Sequence, residues 1–190
     1  MEYHGIKAET GNAMRDPRET DPKSMIGIRE FRETDAESVS RVAFESFRTY
    51  LGDRMDPPHP RPAEYWLRIM GHVCDGEIER IGFIAEEGKE IVGCLAANAS
   101  LLRGLGELSM IGVQPNHAGR GIGKMLFEAA LRFWKDRNMR KIHTCVSSIN
   151  PGARSFYKRC GFREEGILKD HFFDGVDEHQ LALFLRERII

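Results

Sequence analysis

A chain of 190 residues with 41% hydrophobic residues and a formal net charge of -1 is long enough for one domain with a real core, and it gives no electrostatic reason to bind nucleic acid. Its four cysteines, Cys74, Cys94, Cys145 and Cys160, lack Cys-x-x-Cys spacing and no apolar secretory stretch opens the sequence, which points to a reducing cytoplasm. No apolar run approaches the ~20 residues of a membrane helix, and the seven histidines show no helical metal-ligand spacing, so neither a membrane partner nor a metal is expected.

Residues 1–24 are polar and include Arg15 to Lys23 with Pro17 and Pro22. They read as a flexible extension, with the functional domain running from Met25 to residue 190. Ile26 to Arg32 alternates as a half-buried strand. Asp35 then caps a helix whose Val39, Val42, Ala43, Phe44 and Phe47 share one side. Leu51 to Pro62 carries Pro57, Pro58, Pro60 and Pro62 and reads as a loop, either a rigid connector or a flap over a substrate. A helical pattern resumes from Ala63 to Cys74 through Tyr65, Trp66, Ile69, Met70 and Val73. Ile81 to Glu86 and Ile91 to Ala99 form a hairpin about Glu87-Gly88, and a third strand follows from about Gly106 to Val113.

Next comes the turn Ala118-Gly119-Arg120-Gly121-Ile122-Gly123-Lys124, which opens a helix patterned by Ile122, Met125, Leu126, Ala129, Ala130, Phe133 and Trp134 and reaching about Arg137. A glycine-rich turn between strand and helix is an anion cradle. Its backbone can approach a ligand closely, and the first helical N–H groups point at it with the positive end of the helix dipole behind them. A diphosphate is the expected ligand. A P-loop is excluded, because Ala118 falls at its first glycine and Met125 at its hydroxyl position; a dinucleotide fingerprint is excluded, because its third glycine falls on Lys124 or Leu126.

Lys141 to Val146 makes the next strand. Asn150 is an N-cap with Pro151 at the first helical position of a helix to Cys160, which Gly161 stops. Phe162 to Leu168 and Glu178 to Leu185 supply a closing pair of strands. Between them lies the aromatic segment His171-Phe172-Phe173-Asp174-Gly175.

The glycine turn, followed by Asn150-x-x-Ala153-x-x-Phe156-Tyr157-x-x-x-Gly161-Phe162, resembles the two signatures of the GNAT superfamily of N-acetyltransferases, in order and across residues 26–186. The resemblance implies an α/β fold with a mixed, centrally splayed β-sheet flanked by helices. It implies transfer of the acetyl group of acetyl-CoA to a primary amine, on a small molecule or on a peptide or protein, by direct attack in a ternary complex without a metal. Homodimers occur among such proteins. A non-catalytic acyl-CoA-binding sensor is the alternative.

The same resemblance implies the site. Backbone groups of Ile111 and Val113 would bind the pantetheine arm, with Gly112 permitting close approach. The turn from Ala118 through Gly119, Arg120, Gly121, Ile122, Gly123 and Lys124 would hold the pyrophosphate, together with Asn150 and Ala153. Ala118 stands where the family carries Gln or Arg, so backbone N–H groups dominate there, and Arg120 or Lys124 could supply charge. Tyr157 would be the general acid to the thiolate, or would orient the sulfur or pack in the core. Glu107 matches a strand glutamate of protein-acetylating members and would be the general base, the alternative being a solvated strand-end residue. Strand alternation puts Glu107, Ser109, Ile111 and Val113 on one face unless a bulge intervenes. The His171 to Gly175 segment either shapes the acceptor pocket or is a plain hairpin turn.

Overall fold

A computed structural model describes residues 25–186; the expected extension at 1–24 and the last residues, 187–190, lie outside the described part. Eight strands build one sheet. Its order is β1 (Ile26–Glu30), β3 (Ile78–Glu87), β4 (Glu90–Ser100), β5 (Leu105–Val113), β6 (Lys141–Ser147), β8 (Val176–Phe184) and β7 (Arg163–Phe173), with the short β2 (Val73–Cys74) paired to β3. All pairs are antiparallel except β5 with β6. Two helices, α1 (Ala36–Leu51) and α2 (Ala63–Met70), pack on one face, while α3 (Ile122–Asp136) and α4 (Pro151–Arg159) pack on the other. The architecture is the mixed α/β sheet expected from the sequence.

Both faces of the central strands are buried, and the core divides accordingly. Val39, Val42, Ala43, Trp66 and Met70 meet Ile84, Cys94 and Ala96 on the α1 face. On the other, Leu126, Phe127, Ala130, Phe133 and Trp134 meet Leu95, Leu108 and Ile142. Trp134 is fully buried and donates its Nε1 hydrogen to the Asn98 carbonyl at 2.8 Å. Gly106 lets the indole approach: a Cβ there would lie 2.8 Å from Trp134.

The parallel pair is incomplete. Register between β5 and β6 covers only Leu105–Glu107 against Lys141–His143, whereas β5 stays paired with β4 as far as Val113. Beyond Glu107 the sheet therefore splays at its centre.

Three local expectations are corrected. The helix from Ala63 ends at Met70, because the chain turns out at Gly71, where a Cβ would lie 2.4 Å from the Leu67 carbonyl oxygen, and Val73 and Cys74 join the sheet as β2. Asp35 occupies the N-cap of α1 but makes no forward cap. Its carboxylate instead accepts from the Arg32 backbone N–H at 2.7 Å and from the Arg29 guanidinium at 2.7 and 2.9 Å. The outer hairpin is longer than expected, with β7 continuing past Leu168 to Phe173.

Candidate functional site

At the mouth of the splay lies a cleft of about 780 Å³, floored by β5 and walled by the glycine turn, α1 and α4. Of the sequence-predicted residues, Ile111, Gly112, Val113, Ala118, Gly119, Gly121, Ile122, Gly123, Lys124, Asn150 and Ala153 line it. The backbone of β5 is turned suitably. Gln114 N–H donates to the Val92 carbonyl at 2.9 Å, so alternation directs the main-chain groups of Gly112 toward β4 and those of Ile111 and Val113 toward the parted β6 side.

The glycines are required by geometry. Gly119 and Gly121 have φ of +78° and +83°, the left-handed region that L side chains resist, and Gly121 caps α3. Gly123 lies under Phe156, 3.4 Å from the position a Cβ would take, and a Cβ on Gly112 would meet Ser46 of α1 at 3.3 Å. At the glycines the cleft thus presents backbone rather than side chains, which suits a slim chain ending in a diphosphate. Asn150 anchors the opposite wall: its Oδ1 accepts from the Ala153 N–H at 3.0 Å, fixing the first turn of α4.

Arg120 is placed differently from expectation. Its guanidinium forks onto Glu87 at 2.7 and 2.9 Å, while His117 Nε2 sits 3.2 Å from the same carboxylate. This clamp ties the turn to β3 and takes Arg120 out of the cleft lining. Lys124 lines the cleft, is largely exposed and pairs loosely with Glu128 at 3.8 Å. Arg159 of α4, which sequence reasoning passed over, adds a second cation to the lining. Phe156, half-buried against the α3-side core, lines the cleft as well.

Tyr157 is buried between Phe156 and Phe162, each ring centroid 5.3 Å away. Its phenol faces the Thr144 hydroxyl on β6, and burial pushes its pKa well above the ordinary value. From the opposite face α1 brings Tyr50, whose phenol is pushed up to about 12 by burial and by the Glu178 carboxylate. The two phenols approach the splay from either side of the sheet.

The alternation argument for Glu107 is corrected. A bulge lies between the Ala96–Met110 and Ala97–Leu108 pairs, so Ser109 is the extra residue of β5. Leu108 shares the α3 face with Ile111 and Val113, and Glu107 therefore points to the opposite, α1 face. There Asn98 Nδ2 donates to Glu107 Oε2 and to Ser109 Oγ, both at 2.9 Å. A second carboxyl on this face had no sequence signal. Glu178 of β8 is 4% exposed, stands opposite Ser147 in register, and has its pKa raised by burial. Burial raises the pKa of the Cys145 thiol on β6, and the carboxylates of Glu178 and Glu107, on the strands to either side, raise it further. Register sets Glu107 beside His143 and Glu178 beside Ser147, at different heights along β6.

A smaller cavity of about 220 Å³ adjoins the cleft across Phe47, which lines both. Among the described residues, no group of three or more His, Cys, Asp or Glu side chains is arranged to hold a metal ion, and no helix is long and apolar enough to cross a membrane.

Residues 41–162 match the family described as the acetyltransferase (GNAT) family. The chain is 35% identical over 148 residues to an uncharacterized N-acetyltransferase of Methanocaldococcus jannaschii, an alignment that covers 75% of this chain and 62% of that protein. This chain thus spans less than two thirds of that relative's length. It is 25% identical over 166 residues to an N-alpha-acetyltransferase of Sulfurisphaera tokodaii, covering 82% of this chain and 90% of the other. Its fold superposes on an N-acetyltransferase of Thermoplasma acidophilum solved in complex with coenzyme A, with a TM-score of 0.61 at 20% identity, over 84% of this chain and 99% of that one.

Proposed function

The chain belongs to the acetyltransferase (GNAT) family, and from that premise we propose that it transfers the acetyl group of acetyl-CoA to a primary amine by direct attack in a ternary complex. The observation that carries the reading is the parting of β5 from β6 directly beside the glycine turn, which joins a main-chain-lined slot to an anion cradle in one cleft. Acetyl-CoA supplies an activated acyl group: the amine nitrogen bonds to the thioester carbon, the C–S bond breaks, and an amide and a thiol result.

The residues have separable tasks. N–H groups from Gly119 to Gly123, with Lys124 and Arg159, would hold the diphosphate. Main-chain groups of Ile111 and Val113 would bind the pantetheine arm, and one of their N–H groups would polarise the acyl carbonyl. Tyr157 stays protonated through the neutral range and would donate to the departing thiolate. Of the two carboxyls on the α1 face, Glu178 is the better general base. Burial lifts its pKa toward the working range, whereas one oxygen of Glu107 is already engaged by Asn98. The domain would comprise residues 25–190, and its setting would be the cytoplasm.

Calorimetric titration with acetyl-CoA, followed by measurement of thiol release on adding amines, tests the reading. Saturable binding and amine-dependent release are expected. Absence of saturable binding would overturn it.

A further inference from the structure

We infer that the acceptor is a primary amine carrying one aromatic or similarly bulky apolar side chain, which inserts into the cavity beyond Phe47; this rests on the acetyl-transfer reading above. The cavity is lined by Phe44, Phe47 and Leu51 of α1, Tyr65 and Trp66 of α2, and Phe173 at the end of β7. Its remaining wall is the proline segment, through Met55 and Pro57, so the loop left open in the sequence between connector and flap forms part of a binding surface.

Size and chemistry select the occupant. A closed apolar cavity of roughly 150 Å³ holds benzene, so 220 Å³ accommodates one ring with its connecting methylene groups but not a bulky polycyclic body. Charge argues in the same direction. Asp56 is the one carboxylate in the lining, and Arg61 stands beside it with its guanidinium 4.9 Å from the Tyr65 ring centroid. A polyamine, whose extra ammonium groups each favour a carboxylate partner, finds only Asp56 in this lining.

Trp66 adds a second observation. It is 5% exposed, and its Nε1 has no hydrogen-bond partner among the described residues. That nitrogen is itself shielded from solvent, so Trp66 meets the cavity with the apolar part of its ring, a further surface for an aromatic group. Phe47 lines both spaces, so a side chain seated beyond it leaves its amine near Tyr50 and the splay.

The experiment compares phenethylamine, phenylalaninamide, a peptide beginning with Phe, a peptide beginning with Gly, and spermidine as acceptors at fixed acetyl-CoA. Binding of phenylalaninamide in the presence of CoA is measured by calorimetry alongside. At least tenfold higher kcat/KM is expected for the aromatic acceptors than for the Gly-led peptide and spermidine, and the free amines against the Phe-led peptide tell a small-molecule source from a protein one. Phe173→Ala should raise the KM for the aromatic acceptors and weaken phenylalaninamide binding about tenfold, Phe173→Leu should restore most of both, and acetyl-CoA affinity should stay unchanged in the two variants. Preference for spermidine or the Gly-led peptide, or no acetylation of any of the five while acetyl-CoA binds, overturns the acceptor class and leaves the coenzyme reading standing. Failure of acetyl-CoA itself to bind overturns both.

Discussion

The Thr144 hydroxyl donates to the Leu108 carbonyl oxygen at 2.8 Å, at the first step where β6 no longer pairs with β5. A side chain has taken over from the backbone ladder. Replacing it as Thr144→Val keeps the shape and leaves that buried carbonyl unpaired, a loss of about 1–3 kcal/mol. Chemical denaturation should show a lower midpoint with an unchanged m-value, and an unchanged midpoint would mean the carbonyl finds another partner.

Tyr157→Phe preserves the ring packing against Phe156 and Phe162 and removes only the hydroxyl. Turnover should fall roughly 10²-fold, the low end of acid–base contributions, with acetyl-CoA affinity held within a factor of about two. The phenol pKa lies above its ordinary 10.0, so no alkaline loss of activity from this group is expected below that pH. Wild-type turnover in Tyr157→Phe would remove it from the chemistry.

For Glu178 the sign of the pH effect follows from burial. Its folded-state pKa is raised above the ordinary 4.5, so the protonated form is favoured by folding. Stability from this group is fully present below the ordinary carboxylate range and is lost as pH rises through the raised value. Activity runs the other way, because a base must be ionised. Glu178→Gln should therefore lower kcat/KM, roughly 10²-fold on the neutral plateau, abolish its acid limb, and raise the melting temperature at pH 8 relative to wild type, with the difference vanishing near pH 4. Glu107→Gln should keep the acid limb. A limb that disappears with Glu107 instead would reassign the base.

Gly121→Ala forces an L side chain into φ of +83° at the cap of α3. Left-handed backbone costs an alanine about 1–2 kcal/mol, and relief of that strain moves the amides that face the cleft. Acetyl-CoA affinity should drop about tenfold by calorimetry. By contrast, Lys124→Ala leaves the backbone cradle in place and should cost less.

The sequence carried the coenzyme cleft better than it carried the catalytic groups, for a physical reason. Glycine turns and helix caps are local: Gly119, Gly121, Asn150 and Pro151 declare their backbone conformations in a few adjacent residues, and they were found where spacing put them. Glu178, Tyr50 and Cys145 lie on three elements far apart in the chain, and only sheet order and register bring them to one face. Glu107 was misplaced by one step, because the bulge at Ser109 inverts every later side chain and period-two reasoning cannot see an extra residue. Arg120 was misread because its partner, Glu87, ends β3, 33 residues earlier. The sequence leaves the His171 to Gly175 segment open between an acceptor-pocket wall and a plain turn, because the turn signal at Asp174-Gly175 masks a strand that extends past Leu168 to Phe173.

A sheet ordinarily ends at its margins, where unpaired amides invite strands from other molecules. By parting after Glu107, this sheet acquires two more margins in its interior. They are recessed rather than blunted by charge: Ser46 of α1 roofs Gly112 on one face, and Phe156 of α4 closes over Gly123 on the other. An intruding polypeptide would have to bring a side chain at every residue into a slot fitted to bare backbone, whereas a thin flexible linker brings none. The narrowness that admits a coenzyme arm is therefore also a guard against edge-to-edge aggregation, and enlarging the slot by trimming Phe156 should make the protein clump before it makes it promiscuous.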